Sequence, residues 1–328
     1  MQHIHIHIPV LLNEVLQYLD PKPGETIIDG TLGEGGHALA ILERIAPDPS
    51  SPKAGRLIAF DLDAPSIGRA RERLSRYQNC LQIVNRNFTD MVSAVCELIG
   101  DAPVHGILLD LGLSRFEIKE GSSGFSFEKD EQLDMRLDRS QRLTASEIVN
   151  QWPQDKLAWI FQEYGQEKFS YSIAAYICRI RRQKHITTTR QLTETILLAI
   201  RTALKSTADV PWVGGRHPAT RIYQALRIAV NNEYENLKHV LPEALELLTP
   251  AGRLAVISFH SGEDRIVKKC FQDFSRGWTD ERDTWGKRIS QPVRATLLTK
   301  RPVAPTSIEI KTNSSSRSAK LRAIQKSL

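Results

Sequence analysis

Apolar and polar positions along the first part of the chain alternate in a way that predicts strands separated by helices. Short apolar runs between turn residues are typical of buried strands, and apolar residues three and four positions apart are typical of helices. The predicted strands cover residues 26–29, 56–61, 81–84 and 106–110, and the predicted helices cover 11–19, 38–45, 64–77 and 88–99. This alternation indicates an α/β fold, with a parallel sheet and helices on both faces.

The pattern changes between residues 114 and 215, where helical periodicity continues without a convincing strand. Predicted helices in this segment cover 144–150, 154–164, 167–182 and 189–204. The α/β pattern then returns with a long helix over 219–248, a strand over 253–259, a helix over 264–274, and strands at 295–299 and 319–324. We therefore predict one α/β domain, residues 1–113 and 216–328, that is interrupted by a helical domain, residues 114–215.

A glycine-rich turn, Asp29-Gly-Thr-Leu-Gly-Glu-Gly-Gly-His37, joins the first predicted strand to the helix that follows it. Glycines let the backbone pass close to a ligand, and the first turn of a helix presents N–H groups that have no partner within the helix. The strand, turn and helix start together predict a site for a ligand that carries a ribose and an adenine.

Acidic residues end three of the predicted strands, at Asp29, Asp61 and Asp110. A carboxylate at the end of the second strand is placed to accept hydrogen bonds from ribose hydroxyls, which is the role we predict for Asp61. The segment from Gly33 to Ala38 also fits the G-x-G-x-x-A dinucleotide fingerprint, so an NAD-dependent oxidoreductase is an alternative. The acids favour S-adenosylmethionine, because it carries a sulfonium and an ammonium but no pyrophosphate.

Composition is that of a soluble globular protein, with 328 residues, 41% apolar and 25% charged. The charge is uneven: residues 178–227 hold ten Lys and Arg against two acids, and residues 282–328 hold eleven against two. The two blocks carry charges of +8 and +9. Because the whole chain has a net charge of +6, the remaining residues carry about −11. Two basic blocks favour a polyanionic partner, with nucleic acid the leading candidate over a merely solvated basic face.

Other features narrow the class of protein. No apolar run has the length of a membrane span, and the N-terminus lacks a signal-peptide pattern, so we expect a cytoplasmic protein without a membrane partner. The four cysteines stand far apart without a C-x-x-C pair, at Cys80, Cys96, Cys178 and Cys270. We therefore predict neither a disulfide framework nor a metal site.

Five groups of residues carry a resemblance to a known family. They are the glycine turn Asp29 to His37; Gly106-Ile-Leu-Leu-Asp-Leu-Gly-Leu-Ser114; Gly124-Phe-Ser-Phe127 with Leu133-Asp-Met-Arg136; His217-Pro-Ala-Thr-Arg221; and Ile257-Ser-Phe-His-Ser261 with Glu263-Asp-Arg265. With them, nearly the whole chain resembles the RsmH (MraW) family of small-subunit ribosomal RNA cytosine-N4 methyltransferases.

The resemblance implies a class I methyltransferase fold, which is Rossmann-like with a mostly parallel seven-stranded sheet and an inserted all-helical substrate-recognition domain. It implies S-adenosylmethionine as the cofactor of the α/β domain. The methyl acceptor would be N4 of a decoding-centre cytosine of 16S rRNA in the small ribosomal subunit. A homodimer remains open.

The same resemblance assigns cofactor contacts to particular residues. The family contacts fall on Gly35, Gly36, His37, Asp61, Phe88 and Asp110. A further contact, usually glutamine, falls on Glu117, which cannot donate a hydrogen bond while ionised, so we expect that contact to be altered or lost. Gly262 replaces the usual leucine, so we expect a looser start to the helix there, with Ser261 and Asp264 as its capping box.

Cytosine N4 is a poor nucleophile, so a catalyst has to align it with the methyl group and provide an acceptor for its proton. We predict Asp110 and Asp134 as the catalytic residues that supply this acceptor. The alternatives are that Asp110 only holds the cofactor and that Asp134 pairs with a neighbouring arginine.

The cytosine must also leave its stack. Phe125 and Phe127 are predicted either to stack on it or to anchor their loop to the core, and Arg136 and Arg221 are predicted to hold phosphates. His260 is predicted to touch either ligand. A third class of function is an RNA-binding assembly factor that no longer transfers methyl groups. It stays open because Glu117 replaces the glutamine that usually contacts the cofactor.

Overall fold

The structure, a computed structural model, describes residues 8–112, 124–205, 217–290 and 292–328. It divides the chain into two compact units, one formed by Met1–Gly112 with Tyr234–Leu328 and the other by Leu113–Glu233. No helix in these described ranges is both long and apolar enough to cross a membrane.

The first unit is built on a seven-stranded sheet. Its strands are β1 (Thr26–Asp29), β2 (Arg56–Phe60), β3 (Leu81–Val84), β4 (Val104–Asp110), β5 (Leu248–Ser258), β8 (Ala295–Leu297) and β9 (Lys320–Lys326). They lie side by side in the order β3-β2-β1-β4-β5-β9-β8. Strands β1 to β5 are parallel, and β9 runs antiparallel to both β5 and β8. This topology confirms the predicted class I methyltransferase fold. A separate antiparallel pair, β6 (Trp278–Arg282) with β7 (Arg288–Ser290), was not predicted.

Helices connect these strands and build the second unit. In chain order they are α1 (Leu12–Leu19), α2 (Gly36–Ile45), α3 (Ala64–Arg73), α4 (Met91–Ile99), α5 (Ala145–Gln151), α6 (Gln154–Glu163), α7 (Ser170–Ile180), α8 (Thr189–Leu204), α9 (Thr220–Asn231), α10 (Glu233–Leu247), α11 (Ser261–Arg276) and α12 (Ser307–Thr312). The sequence pattern predicted most of these helices to within a few residues but missed α12.

Two apolar clusters cover the two faces of the sheet. Because successive side chains of a strand point to opposite faces, Ile27 of β1 packs in one cluster and Ile28 in the other. Both side chains are fully buried. Burial on both faces explains why these parallel strands read as continuous apolar runs that end at a polar residue.

The second unit has a core of its own, made by helices α5 to α9. Its boundary differs from the prediction, because α9 belongs to this unit and not to the α/β unit. Ile222 and Leu226 of α9 are fully buried in the helical core. The predicted continuous helix over 219–248 is also wrong: Asn232 adopts a left-handed conformation, with φ 52°, and separates α9 from α10.

Candidate cofactor site

The glycine turn places the N-terminus of α2 at the carboxyl edge of the sheet. Gly35 has φ 76°, a conformation that favours glycine, and it stands directly before α2. A Cβ atom on Gly30 would lie 2.4 Å from Cδ2 of Leu109, so the turn lies against β4. No side chain of the described residues caps α2. Its first N–H groups are therefore available to a ligand.

Asp29 and Thr31 link the ends of two neighbouring strands. The Thr31 N–H donates to Oδ1 of Asp29 over 3.0 Å, and the Thr31 hydroxyl accepts from the N–H of Asp110 over 2.6 Å. Oδ2 of Asp29 is buried and has no hydrogen-bond partner within the described part of the chain. The sequence pattern did not predict this role of Thr31. Its position inside the glycine turn is the one signal that could have indicated it.

His37 and Asp110 face each other beside this turn, and both were predicted site residues. Nδ1 of His37 lies 3.5 Å from Oδ2 of Asp110. Nε2 of His37 donates to the carbonyl oxygen of Val10 over 2.9 Å. Oδ1 of Asp110 is buried without a hydrogen-bond partner among the residues described here.

Burial shifts the pKa of each of these groups toward its neutral form. It raises the pKa of Asp29 to about 6, and it raises that of Asp110 to about 7 with a further contribution from the negative charge of Glu263. Burial lowers the pKa of His37. Buried carboxyl groups with unpartnered oxygens are suited to a ligand that brings positive charge.

Asp61 directly follows β2 and organises the glycine turn. Its Oδ2 accepts from the N–H of Gly33 over 2.7 Å, and its Oδ1 accepts from the N–H of Asp63 over 2.8 Å. Each oxygen keeps a second lone pair, which is what two ribose hydroxyls need. Burial raises the pKa of Asp61.

The remaining predicted cofactor residues differ in how the structure places them. A Cβ atom on Gly36 would lie 3.1 Å from the Pro9 ring, so this glycine lets residues 8–10 approach the turn. Phe88 is half-buried and packs against one of the apolar clusters of the sheet. Glu117 lies outside the described residues.

The start of α11 corrects two predictions. The capping residue is His260, not Ser261, and its partner is Glu263, not Asp264. Oε2 of Glu263 accepts from the N–H of Phe259 over 2.8 Å, while Asp264 pairs with Arg322 on β9 over 2.7 Å. The second correction concerns the looser helix start that Gly262 predicted. His260 and Glu263 form a reciprocal capping box, so hydrogen bonds close this end of α11.

Gly262 is buried and leaves room for a tyrosine. A Cβ atom at this position would lie 1.7 Å from the hydroxyl oxygen of Tyr234. That hydroxyl lies 3.4 Å from Nδ1 of His260. No local pattern along the chain predicts this relationship between α10 and α11.

Asp134 and Arg136 form an ion pair within the second unit. Nε and Nη2 of Arg136 donate to the two carboxylate oxygens of Asp134 over 2.7 and 2.8 Å, and Nη1 donates to the carbonyl oxygen of Gln141. This pairing holds the pKa of Asp134 below its usual range. The arrangement matches the alternative in which Asp134 pairs with an arginine.

Phe125, Phe127 and Arg221 also lie in the second unit, where they make internal contacts. The Phe127 ring stacks on His217 with centroids 4.6 Å apart, and it meets Tyr223 edge-on at 5.3 Å. Both phenylalanines pack against the helical core. Arg221 donates to the carbonyl oxygen of Gln166 over 3.1 Å. These contacts match the anchoring alternative for the phenylalanines.

The sequence profile of the MraW methylase family matches residues 4–327. The chain belongs to the MraW methylase family. It is 42% identical over 320 residues to a ribosomal RNA small subunit methyltransferase H of Symbiobacterium thermophilum, covering 98% of this chain and 96% of that one. It is also 42% identical over 326 residues to the protein of the same name from a Geobacter species, covering 99% of this chain and 100% of that one.

Methylases of this family use S-adenosylmethionine, and the site fits that cofactor. Oδ2 of Asp29 and Oδ1 of Asp110 are buried without a hydrogen-bond partner in the described part of the chain, which suits a cationic ligand, and each carboxylate oxygen of Asp61 can accept a further hydrogen bond, as a ribose would require. A dinucleotide would bring its pyrophosphate toward the same carboxyl groups. Family membership and this donor set together decide against the NAD-dependent oxidoreductase.

Proposed function

We propose that the chain transfers a methyl group from S-adenosylmethionine to N4 of a decoding-centre cytosine in 16S rRNA. The observation that carries the donor half is the pair of buried carboxyl oxygens, Oδ2 of Asp29 and Oδ1 of Asp110, beside the uncapped N-terminus of α2. The acceptor half is supported by relatives named as small-subunit rRNA methyltransferases and by the resemblance of five motifs to a cytosine-N4 methyltransferase family.

When bound, S-adenosylmethionine supplies an electrophilic methyl group on a sulfonium. Asp29 and Asp110 would hold its positive groups, and Asp61 would hold its ribose. As the bond from N4 to the methyl carbon replaces the bond from sulfur to that carbon, the nitrogen has to lose a proton. We assign that proton to Asp110, because its carboxyl group lies at the end of β4 with Oδ1 unpartnered among the described residues, and burial makes its carboxylate a stronger base than an exposed one.

Asp134 is the weaker candidate for this role. Its carboxylate is engaged at both oxygens by Arg136, and the lowered pKa of Asp134 disfavours proton uptake. Arg136 is likewise a poor candidate for a phosphate contact, since its guanidinium donates to groups within its own unit. We propose that this pair fixes the fold of its loop.

The test incubates the purified protein and methyl-labelled S-adenosylmethionine with 30S subunits from a strain that lacks its own enzyme. After digestion of the rRNA to nucleosides, we expect the label in N4-methylcytidine at a single site. Fully methylated 30S subunits serve as the control, and Asp110→Asn is expected to reduce kcat more than 100-fold, in line with loss of an acid–base group.

Other outcomes would replace the proposal. Label in another nucleoside would overturn the N4 assignment while leaving the methylase. Binding of S-adenosylmethionine by calorimetry, without transfer to any ribosomal particle, would favour the RNA-binding assembly factor.

A further inference from the structure

Nine of the eleven cations of the C-terminal basic block fall into two groups, and the other two, Arg282 and Lys287, belong to the hairpin of β6 and β7. One group is neutralised: Arg288 pairs with Asp273, Arg294 and Lys326 with Glu246, and Lys320 and Arg322 with Asp264. The other group consists of Lys300, Arg301, Lys311 and Arg317, which are all exposed. No acidic side chain of the described residues pairs with any of these four, which we call the basic edge.

Strand register places the first two cations of the basic edge at the carboxyl edge of the sheet. Strand β8 pairs antiparallel with β9, and β9 pairs antiparallel with β5, so β8 runs in the same direction as β5. Lys300 and Arg301 follow the end of β8. Val303 pairs with Leu321, which in turn pairs with Ile257 near the end of β5.

The other two cations lie at the same edge. Strand β9 begins with Lys320 opposite Ser258, the last residue of β5, so the residues that lead into it, including α12, lie at the carboxyl edge. Lys311 belongs to the last turn of α12, and Arg317 lies in the short 3-10 helix before β9.

A short N-terminal segment, residues 8–11, connects the basic edge to the cofactor site. The N–H of Leu11 donates to Glu309 of α12 over 2.8 Å, and the Asn313 side chain donates to the carbonyl oxygen of Ile8 over 2.9 Å. The carbonyl of Val10, between them, accepts from His37 over 2.9 Å. Residues 8–11 thus contact both the segment that carries Lys311 and Arg317 and His37, which faces Asp110.

We propose that Lys300, Arg301, Lys311 and Arg317 bind phosphates of the RNA strand whose base enters the site. This inference rests on the proposed function. Four exposed cations without acidic partners complement a phosphodiester backbone, and such contacts position a strand without reading its sequence. Their lack of an acidic partner among the described residues distinguishes them from Lys320, which lies at the same edge but pairs with Asp264.

The test compares two quadruple variants that remove the same charge. The first is Lys300→Gln/Arg301→Gln/Lys311→Gln/Arg317→Gln. The control is Arg44→Gln/Lys53→Gln/Arg56→Gln/Arg71→Gln, whose cations are exposed and lie at the opposite edge, in the last turns of α2 and α3 and before or at the start of β2. Affinity for unmethylated 30S subunits is measured directly by filter binding over a series of KCl concentrations.

We expect the basic-edge variant to bind more weakly and to lose about 3 from the slope of log affinity against log salt, at about 0.7 for each single-stranded phosphate contact. The control variant should keep the wild-type slope. Both should keep the wild-type Tm and affinity for S-adenosylmethionine, because all eight side chains are exposed and none lies in the cofactor site.

Binding and methylation are scored separately, so the two proposals can fail separately. If wild type methylates 30S subunits while the basic-edge variant keeps the wild-type salt slope, the inference is wrong and the proposed function stands. If wild type transfers no methyl group, the proposed function fails, and the binding series still decides whether the basic edge holds RNA.

Discussion

His37 and Asp110 face each other with Nδ1 and Oδ2 3.5 Å apart, while the other ring nitrogen of His37 donates to a backbone carbonyl. A carbonyl oxygen only accepts, so neutral His37 carries its proton on Nε2 and turns a lone pair toward Asp110. Asp110, with a pKa of about 7, is therefore partly protonated near neutrality when no cation is bound. Proton occupancy at this pair is linked to binding of a cationic ligand.

We predict that affinity for S-adenosylmethionine rises with pH between 6 and 8. A positively charged ligand favours the ionised carboxyl, so below a pKa of about 7 its binding must release the Asp110 proton. The association constant should then rise by up to about tenfold per pH unit and level off above the pKa. Calorimetry in buffers with different ionisation enthalpies measures both the affinity and the number of protons released.

The matched variant for this prediction is Asp110→Asn, which keeps the size of the side chain but cannot ionise. It should bind more weakly at pH 8 and show a flatter profile from pH 6 to 8. A wild-type affinity that is the same at pH 6 and pH 8, with no proton released, would contradict the linkage.

Replacing Asp61 by alanine should weaken both cofactor binding and folding. The carboxylate accepts from the N–H groups of Gly33 and Asp63, so its loss leaves two part-buried donors without their partner. We expect about 1–3 kcal/mol of lost stability together with at least a tenfold loss of affinity. Thermal unfolding and calorimetry measure the two effects.

Asp63→Ala separates these two effects. Asp63 caps α3 by accepting from the N–H of Ser66 over 2.9 Å, and losing such a cap costs about 1 kcal/mol. Its affinity for S-adenosylmethionine should stay near that of wild type. An Asp61→Ala protein with reduced Tm but unchanged affinity would show that Asp61 only shapes the turn.

Local patterns were enough to predict strands β1 and β3 and the acidic residues at the carboxyl edge of the sheet. Strands β1 and β3 match their predicted residues because turn residues bound them on both sides. Asp29, Asp61 and Asp110 were visible because they interrupt apolar runs. The break at Asn232 was missed because apolar spacing continues from α9 into α10, and only tertiary packing assigns the two helices to different units.

Relationships between distant residues were beyond the sequence pattern. The capping role of His260 was missed because serine is the commoner cap and stood next to it. The effect of Glu263 on the pKa of Asp110 depends on burial and on the pairing of β4 with β5, which no local spacing encodes. The same holds for the hydrogen bond between Asp61 and Gly33, which lie in separate turns.

Gly262→Ala should destabilise the first unit. The new methyl group would lie 1.7 Å from the Tyr234 hydroxyl oxygen and 2.5 Å from the ring carbon that carries it, so the Tyr234 side chain or one of the helices α10 and α11 has to shift. Overpacking of this kind costs about 1–3 kcal/mol. Denaturant unfolding gives the change.

The Tyr234→Ala background and a second glycine provide controls for this clash. In the Tyr234→Ala protein, adding Gly262→Ala should cost less than it does in wild type, because the obstructing ring is gone. Gly68→Ala, in α3 with nothing within 4 Å of the added atom, should stabilise by roughly 0.5–1 kcal/mol. Equal costs for Gly262→Ala in both backgrounds would show that Tyr234 is not the obstacle.

Asp134→Asn should lower stability while leaving the chemical step largely intact. The substitution removes the charge that Arg136 contacts through Nε and Nη2, and in this partly buried pair we expect a loss of about 1–2 kcal/mol. Arg136→Gln should cost a similar amount, and the double variant should cost less than the sum of the two, as a double-mutant cycle by denaturant unfolding would show.

For Asp134→Asn, kcat with saturating 30S subunits, measured well below Tm, should fall less than threefold, and its pH profile should keep its wild-type form. A Tm that stays constant together with a kcat reduced 100-fold would instead make Asp134 the proton acceptor and remove Asp110 from that role.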